Sequence, residues 1–424
     1  MCSLSEEIKA YELYMRLTPA EEKAAQSVIS DITSTTRDHL GDTPLVLLGS
    51  RSTGLATPLS DFDLTFPAMP SMDVSAESIL IGDRQKLKSQ ALSSLRKIQQ
   101  SLHRSVRLKG TEVVTARVPI LETQHQATGL RIQIQTMAPY QPAQEYTVAY
   151  LNEMPSIRPL YIILRYFLEI RDLTTVYEGG LGSYSLLMMI VTALKHSSGT
   201  FATDDLGGQL LYILHFYGSA DLYRFGFSAN PPRMFDKISK GCSMAERLNR
   251  SKDPQLRGID EIVRNQNSRK PYLLSLQDPA NDSNDLGKNA YAIKHIQATF
   301  IKARESIVNS LQRRGDFAKA ETWSCLDYLV RADYTAFEAK RSRVERSTNR
   351  QMPRDRDYSQ YRVQEDFLRR VEFRDEKGMK SADGGKTYRK IDHIEAKSTH
   401  SEPLSQPRIT THYLTCTFSK HRVR

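Results

Sequence analysis

The spacing of apolar residues predicts two kinds of architecture along this chain. Before about residue 150 the apolar positions predict strands: residues 45–48 are continuously apolar, and residues 130–135 alternate strictly between apolar and polar side chains. After residue 155 the apolar positions recur at helical spacing, most strongly over residues 157–173 and 184–195. The pattern therefore predicts an α+β protein in which a sheet-containing region precedes a helical region.

One stretch, residues 45–66, carries the candidate chemistry. Gly49-Ser50 interrupts its apolar strand, and Asp61-Phe62-Asp63 opens a second strand. Because side chains alternate along a strand, Asp61 and Asp63 share one face, where their carboxylates repel each other unless a cation lies between them. A hard divalent ion such as Mg²⁺, held by carboxylates and phosphate oxygens, meets this requirement. Backbone N–H groups after Gly49 and the Ser50 hydroxyl can bind phosphate beside the ion, so the stretch predicts phosphoryl chemistry on a metal-bound nucleotide.

Each half of this stretch also has a simpler interpretation. An Asp-x-Asp alone is usually a turn or a solvated strand end, and a Gly-Ser pair alone is usually a turn. The combination is more specific, because strand, Gly-Ser, short helical connection, Asp-x-Asp and second strand follow one another within residues 45–66.

The positive charge of the chain is concentrated near its C-terminal end. The net charge is +10, and residues 331–424 contain 22 Lys and Arg against 14 Asp and Glu, a net +8. This excess predicts a polyanionic partner, most simply RNA, while a solvated basic tail without a specific partner explains it equally well.

Cysteine usage and hydropathy exclude several other classes of protein. The four cysteines are widely scattered and show neither metal-site spacing nor a disulfide framework, which indicates a reducing compartment. No apolar stretch is long enough to span a membrane, and no N-terminal signal peptide is expected.

Several further motifs occur in an order that resembles one known family. They are Arg158-Pro159-Leu160, the Gly-rich residues 179–184, Asn230-Pro231-Pro232-Arg233 and residues 276–288. With the stretch above, they resemble the DNA-polymerase-β-like nucleotidyltransferases, and among these the poly(A) polymerases of the nuclear RNA-surveillance (TRAMP) type with a PAP-associated domain. The resemblance implies two lobes with the active site in the cleft between them: a small nucleotidyltransferase lobe with a mixed sheet, and a helical lobe.

Four parts of the chain are expected from this resemblance and from composition. Residues 1–40 are N-terminal helices packing on the central lobe, residues 41–150 are the nucleotidyltransferase lobe, and residues 151–330 are the helical central and PAP-associated domain. After residue 330 the apolar periodicity decays. Residues 331–424 are therefore expected to be a basic, largely disordered tail, with a short helix near residues 365–371.

The resemblance also implies a role for each residue of the candidate site. Asp61 and Asp63 are the catalytic acids and hold Mg²⁺ or Mn²⁺. Arg165 stands where the family usually has a Lys that contacts the triphosphate. The full set implied to bind the nucleotide is Gly49, Ser50, Arg165, Ser183, Tyr184 and Asn284.

Two of these residues are implied to contact the base. Tyr184 stacks on it, a contact that does not depend on base identity. Asn284 falls where related uridylyltransferases carry a His that selects uracil, and an amide there can pair with the donor and acceptor edge of adenine, so ATP is the expected substrate. The simpler alternatives are that Tyr184 is a core residue and Asn284 a turn residue bonded to its own backbone.

One position departs from the family pattern. The family's third catalytic carboxylate lies on the strand after an Ala-Arg-Val-Pro-Ile run, here residues 116–120, and the matching residue is Gln133. An amide oxygen cannot accept the proton of an RNA 3′-hydroxyl, and losing a general base slows a reaction by about 10²–10⁴-fold. Glu122 and Glu145 are the nearest other carboxylates, and neither has the expected spacing. Severe impairment is therefore expected.

Three functions remain open on this evidence. The first is a template-independent polynucleotide adenylyltransferase that adds AMP from ATP to RNA 3′ ends in nuclear RNA processing, surveillance and decay. The second is a catalytically degenerate scaffold that binds RNA or nucleotide, and the third is a terminal uridylyltransferase. The resemblance implies a zinc-knuckle RNA-binding protein and an RNA helicase as partners. It implies the nucleus, including the nucleolus, as the location, while a mitochondrial location stays open.

Overall fold

The computed structural model describes residues 3–40, 45–58, 60–66, 81–115, 118–136, 141–238, 252–313 and 324–349. The strands in these residues are β1 (Val46–Leu48), β2 (Phe62–Thr65), β3 (Leu108–Val114), β4 (Ile120–His125), β5 (Arg131–Gln135), β6 (Phe225–Ala229), β7 (Pro232–Asp236), β8 (Gln277–Asp278) and β9 (Asn281–Asp285). The α-helices are α1 (Leu4–Met15), α2 (Pro19–Leu40), α3 (Gly49–Thr53), α4 (Ile81–His103), α5 (Gln141–Glu153), α6 (Ile157–Glu169), α7 (Ser183–His196), α8 (Leu206–Gly218), α9 (Pro254–Arg264), α10 (Ile293–Gln312), α11 (Asp327–Val330) and α12 (Thr335–Asn349). The predicted α+β class is confirmed.

The small lobe is built on a five-stranded mixed sheet in the order β1-β2-β5-β4-β3. β2 and β5 are parallel, and the other neighbouring strands are antiparallel. One face is apolar because the inward residues of β2, β4 and β5 alternate with polar ones, and it packs against α2 and α4. The buried residues of this core include Val28, Ile32, Phe62, Leu64, Leu95, Ile98, Leu121, Ile132 and Ile134. The opposite face is left to polar residues.

The helical lobe is a core of α1, α6, α7, α8 and α10, to which two short hairpins, β6–β7 and β8–β9, are added. Its central helices are apolar on more than one face: Leu160, Ile163 and Phe167 of α6 are fully buried, as are Met188 and Ile190 of α7. Helices of this kind belong in a protein interior. Within the described part of the chain, no helix combines the length and apolar character that crossing a membrane requires.

The two N-terminal helices belong to different lobes, which corrects the expectation that residues 1–40 pack on the central lobe. α1 packs on α6 and α8, as expected, whereas α2 packs on α4 and the sheet. The helical conformation is interrupted between α1 and α2 because Thr18 and Glu21 form a reciprocal cap. The Thr18 N–H donates to Glu21 Oε2 at 2.7 Å, and the Glu21 N–H donates to Thr18 Oγ1 at 3.2 Å. A new helix therefore begins at Pro19, and its apolar stripe turns towards the sheet.

The boundary expected after residue 330 also differs from the structure, because α12 follows it and packs on both lobes. Phe337 is buried in the core of the helical lobe, and Val344 in the core of the small lobe. Only a few residues of this charged helix point inward, so its apolar periodicity is too sparse to detect. Residues 350–424, with the helix expected near residues 365–371, lie outside the described residues.

Candidate active site

Gly49 positions the first segment of the candidate site. It follows β1, begins α3 and has φ +64°, in the left-handed region that favours glycine. A Cβ at this position would collide with Asp63 Oδ2. The short helical connection expected between the two strands is confirmed, and it brings the backbone of Gly49 directly against the Asp63 carboxylate.

Asp63 lies on the polar side of β2, and Asp61 directly precedes this strand. Burial and, to a smaller extent, the negative charge of Asp61 together raise the pKa of Asp63 to about 6. Burial also raises the pKa of Asp61, partly offset by the positive charge of Arg131. Ionising both carboxylates therefore costs free energy, and a bound cation would offset that cost.

The chemistry of this pair fits a hard divalent cation. Two carboxylates two residues apart on one strand face supply the oxygen ligands that Mg²⁺ and Mn²⁺ prefer, and substrate phosphates can complete the coordination. Across the described residues, no group of three or more His, Cys, Asp or Glu is arranged to hold a metal ion. The site thus has two acids together and lacks an evident third.

A cleft of about 520 Å³ connects these acids to the helical lobe. Its walls come from the sheet, from α6 and α7, and from α12. The polar residues among its lining are Ser50, Thr57, Ser60, Asp61, Asp63, Gln124, Thr128, Arg131, Tyr161, Arg165, Tyr166, Glu169, Ser183, Lys340 and Arg343. Five of the residues predicted for the site therefore line one cavity: Ser50, Asp61, Asp63, Arg165 and Ser183.

Arg165 and Ser183 form the helical-lobe side of this cleft. Arg165 Nε lies 3.8 Å from Glu169 Oε2, one turn along α6, so the nearby negative charge is paired on its own helix. Ser183 begins α7 and contacts the buried Tyr161 hydroxyl. A cationic and a hydroxyl side chain facing two carboxylates across a cleft suit a phosphate-bearing ligand.

Tyr184 and Asn284 are joined by a residue that the sequence did not single out. The Tyr184 hydroxyl donates to Asp278 Oδ1, and Asn284 Nδ2 donates to Asp278 Oδ2, both at 2.9 Å. Lys288 Nζ donates to Asn284 Oδ1 at 3.1 Å. The amide of Asn284 is thus oriented by two charged neighbours, one at each end. Asp278 was missed because Gln277-Asp278-Pro279 has the composition of an ordinary loop.

Gln133 lies beside Asp63, as the family pattern implies for the third acid. Parallel pairing of β2 and β5 sets Asp63 opposite Gln133. Antiparallel pairing of β4 and β5 sets Gln133 opposite Glu122, so all three side chains share one face. The structure places Glu122 within β4, one strand beyond Gln133, a proximity that spacing along the chain does not reveal. Glu145 is exposed on α5.

Three basic residues near the acids were also missed by sequence reasoning. Arg51 donates through Nε and Nη2 to the Ser60 carbonyl at 3.1 and 2.7 Å, and its guanidinium lies 4.0 Å from the centre of the Phe62 ring. Burial lowers its pKa to about 10, opposed by the nearby acids. Arg131 and Lys340 line the cleft and lower the pKa of Asp61. Their sequence surroundings give no signal, because each depends on pairing or packing between distant segments.

Comparisons with known proteins agree with this fold. Residues 4–138 match the central palm domain of the family described as poly(A) RNA polymerase, mitochondrial-like. The cid14 poly(A) RNA polymerase of Schizosaccharomyces pombe is 27% identical over 306 residues, which is 70% of this chain and 39% of that protein. Trf4-2 of Drosophila melanogaster, named as an inactive poly(A) RNA polymerase, is 22% identical over 308 residues, 71% of this chain and 67% of that protein.

A solved structure shares the architecture. The polymerase core of TRAMP, an RNA surveillance complex, superposes with a TM-score of 0.58 at 22% identity, covering 78% of this chain and 91% of that one. The chain spans well under half the length of the cid14 relative. The chain is therefore similar in sequence to the Cid14-type poly(A) RNA polymerases and in fold to the polymerase core of TRAMP.

Proposed function

We propose that this protein is a template-independent RNA nucleotidyltransferase that adds AMP from ATP to RNA 3′ ends, with Mg²⁺ or Mn²⁺ as cofactor. The observation that carries the proposal is the pairing of Asp61 and Asp63 in a cleft whose other wall presents Arg165 and Ser183. The names of its relatives support a reaction of the poly(A) type.

Each part of the cleft has a task in this reaction. Asp61 and Asp63 would hold the divalent cation, which when bound neutralises phosphate charge and favours loss of pyrophosphate. Ser50, Arg165 and Ser183 orient the triphosphate through charge-assisted hydrogen bonds. Holding the RNA 3′-hydroxyl in line with the α-phosphate converts a bimolecular encounter into an oriented reaction, which is a large part of the rate gain in such enzymes.

Selection of adenine is assigned to Asn284. Its amide is fixed by Asp278 and Lys288, so its donor and acceptor are pre-oriented for a base stacked on Tyr184. An oriented amide can donate to one edge atom of adenine and accept from another. We expect ATP to be incorporated in preference to UTP, and Asn284→His to shift the ratio towards UTP. Higher UTP than ATP incorporation by the wild type would favour the uridylyltransferase instead.

Extension of an oligo(A) primer by the purified full chain tests the reaction itself. Wild type should extend the primer, and Asp61→Ala should abolish extension because it removes a cation ligand. Gln133→Asp should extend the primer at least as fast as wild type, since it places an acid at the family's position. Activity that survives Asp61→Ala would contradict the assignment of the metal site.

A second candidate, a scaffold that binds RNA or nucleotide without turnover, is favoured by one observation. Gln133 lies beside Asp63 where the family carries its third acid, and Trf4-2 shows that an inactive member exists among the relatives. Extension by Gln133→Asp with none by wild type would establish this alternative.

Partners and location follow from the same proposal. RNA 3′ ends are the proposed substrate, and the family resemblance of the sequence implies a zinc-knuckle RNA-binding protein and an RNA helicase as partners. Location in the nucleus goes with that role. Co-purification of tagged full-length protein, with and without nuclease treatment, tests both partners directly.

A further inference from the structure

The polar face of the sheet carries a row of four side chains that the sequence does not connect. Strand pairing sets Asp63 opposite Gln133, Gln133 opposite Glu122, and Glu122 opposite Glu112. Directly paired residues of neighbouring strands point to the same side, about 4.8 Å apart in the plane of the sheet. The row therefore contains a carboxylate, an amide and two further carboxylates, in that order away from β2.

Glu122 is the carboxylate of this row that is nearest the candidate metal site after the two aspartates. It lies one strand beyond Gln133, which itself lies directly beside Asp63. A Glu side chain is one methylene longer than Asp, which makes up part of the displacement by one strand. Its side chain is 36% exposed, so it can turn towards the cleft without unfolding the sheet.

The present partner of Glu122 does not hold it away from the site. Arg131 Nη2 is 3.8 Å from Glu122 Oε2, and the Arg131 side chain is 60% exposed. A solvent-exposed pair at that distance contributes little to holding either side chain in place. Arg131 also lines the cleft, so an RNA phosphate that binds there would compete with Glu122 for the guanidinium.

We propose that Glu122 supplies the third carboxylate of this active site, in place of the acid that Gln133 lacks. The proposal rests on the proposed function. Glu122 adds the third negative charge beside the cation and accepts the proton of the RNA 3′-hydroxyl. The O–H bond breaks and its proton passes to Glu122. The oxygen forms a bond to the α-phosphorus, and the bond to the bridging oxygen breaks as pyrophosphate leaves with that electron pair.

Cation binding gives a test that does not depend on turnover. Mn²⁺ binding to the full chain is measured by electron paramagnetic resonance for wild type and for three variants: Asp61→Ala, Glu122→Gln and Glu112→Gln. Glu112 is the matched control, because it is exposed on the same face one strand further from Asp63. We expect Glu122→Gln to weaken Mn²⁺ binding by about tenfold, while Glu112→Gln binds like wild type. Thermal unfolding of each variant confirms that it is folded.

The outcomes separate this inference from the proposed function. If Asp61→Ala weakens Mn²⁺ binding but Glu122→Gln behaves like Glu112→Gln, Glu122 has no such role and only the inference is overturned. If Asp61→Ala binds Mn²⁺ like wild type, the metal site itself is misassigned. The inference about Glu122 and the proposed function are then both overturned.

Primer extension then tests the proton-accepting role. Glu122→Gln should slow extension by about 10²-fold or more, with little change from Glu112→Gln. In the double variant Gln133→Asp/Glu122→Gln, activity should return, because the acid is restored at the neighbouring strand. A double variant as slow as Glu122→Gln alone would contradict the substitution of one acid for the other.

Discussion

Gly49 illustrates how single residues of the site are fixed by backbone and by neighbours at once. Its φ of +64° excludes most side chains, and the Asp63 carboxylate occupies the space where a Cβ would lie. Gly54 has a similar conformation, φ +80°, yet a Cβ there would meet nothing within 4 Å. The two glycines therefore separate backbone strain from displacement of Asp63.

We expect Gly49→Ala and Gly54→Ala each to lower the free energy of unfolding by about 1–2 kcal/mol, because both force an L-residue into the left-handed region. Only Gly49→Ala should weaken binding of Mn²⁺ and ATP, by about tenfold, since only it displaces a cation ligand. Urea unfolding and titration calorimetry measure the two effects. If Gly54→Ala weakens the binding of Mn²⁺ and ATP equally, the loss comes from general distortion of α3 and not from displacement of Asp63.

Arg341 is the residue whose removal we expect to cost most stability. Its guanidinium donates to Glu21 Oε1 at 2.8 Å and to the carbonyls of Tyr14 and Arg16 at 2.6 and 2.8 Å. The Arg341 and Glu21 side chains are only 7% and 1% exposed. Burial raises the pKa of Glu21, and the charge of Arg341 opposes this.

Arg341→Ala should lower the free energy of unfolding by about 3–5 kcal/mol, because it leaves the Glu21 carboxylate buried without its counter-charge. Arg346→Ala, at an exposed position of the same helix, is the control and should change it by less than about 0.5 kcal/mol. Urea unfolding at neutral pH gives both values. Similar small effects for the two variants would mean that the buried pair contributes little.

At the scale of elements, α12 brings Lys340 and Arg343 into the cleft and leaves other cations outside it. Lys340 lines the cleft and lowers the pKa of Asp61, whereas Arg346 Nε bonds to the Ser342 carbonyl on an exposed part of the helix. The same change of charge at these two positions should therefore have different effects on RNA.

Lys340→Glu should weaken binding of a short RNA and reduce the slope of log affinity against log salt by about one, as expected for loss of one phosphate contact. Arg346→Glu should leave that slope closer to the wild-type value. Fluorescence anisotropy across a range of salt concentrations measures both. If the two variants reduce the slope equally, general charge and not the position of Lys340 is responsible.

The elements differ in how far the sequence could predict them, for identifiable reasons. β1, α3, β2 and β5 were predictable because apolar runs, Gly49-Ser50 and strict alternation are local signals. The proximity of Glu122 to Gln133 was not, because register between strands depends on tertiary pairing and not on spacing along the chain. Asp278 was missed for a similar reason: its partners, Tyr184 and Asn284, become neighbours only when the first residues of α7 meet the β8–β9 hairpin in the fold.

At the scale of the whole molecule, the described fold extends beyond the domain boundary that composition indicates. Residues 331–349 form part of both hydrophobic cores, while residues 350–424 contain 17 Lys and Arg against 11 Asp and Glu. A truncation that tests the RNA-binding role of the tail must therefore preserve α12.

A chain that ends at Asn349 should keep its thermal midpoint, whereas one that ends at Val330 should unfold at a lower temperature because it loses Phe337, Arg341 and Val344. The longer of the two truncated chains should still bind RNA with a smaller salt slope than the full chain, since its excess of basic residues is reduced. Thermal scans and anisotropy measure these effects. An unchanged salt slope would indicate that the tail is solvated without a specific partner.

The position of α12 also constrains how the two lobes can move relative to each other. Phe337 and Val344 anchor the helix in separate cores, seven residues apart, which corresponds to roughly 10 Å of helix. An α-helix resists stretching, so the distance between the two anchor points stays close to that length. If the cleft widens to admit a nucleotide, as the proposed function requires, we expect one lobe to rotate about α12 and not to move away from the other lobe.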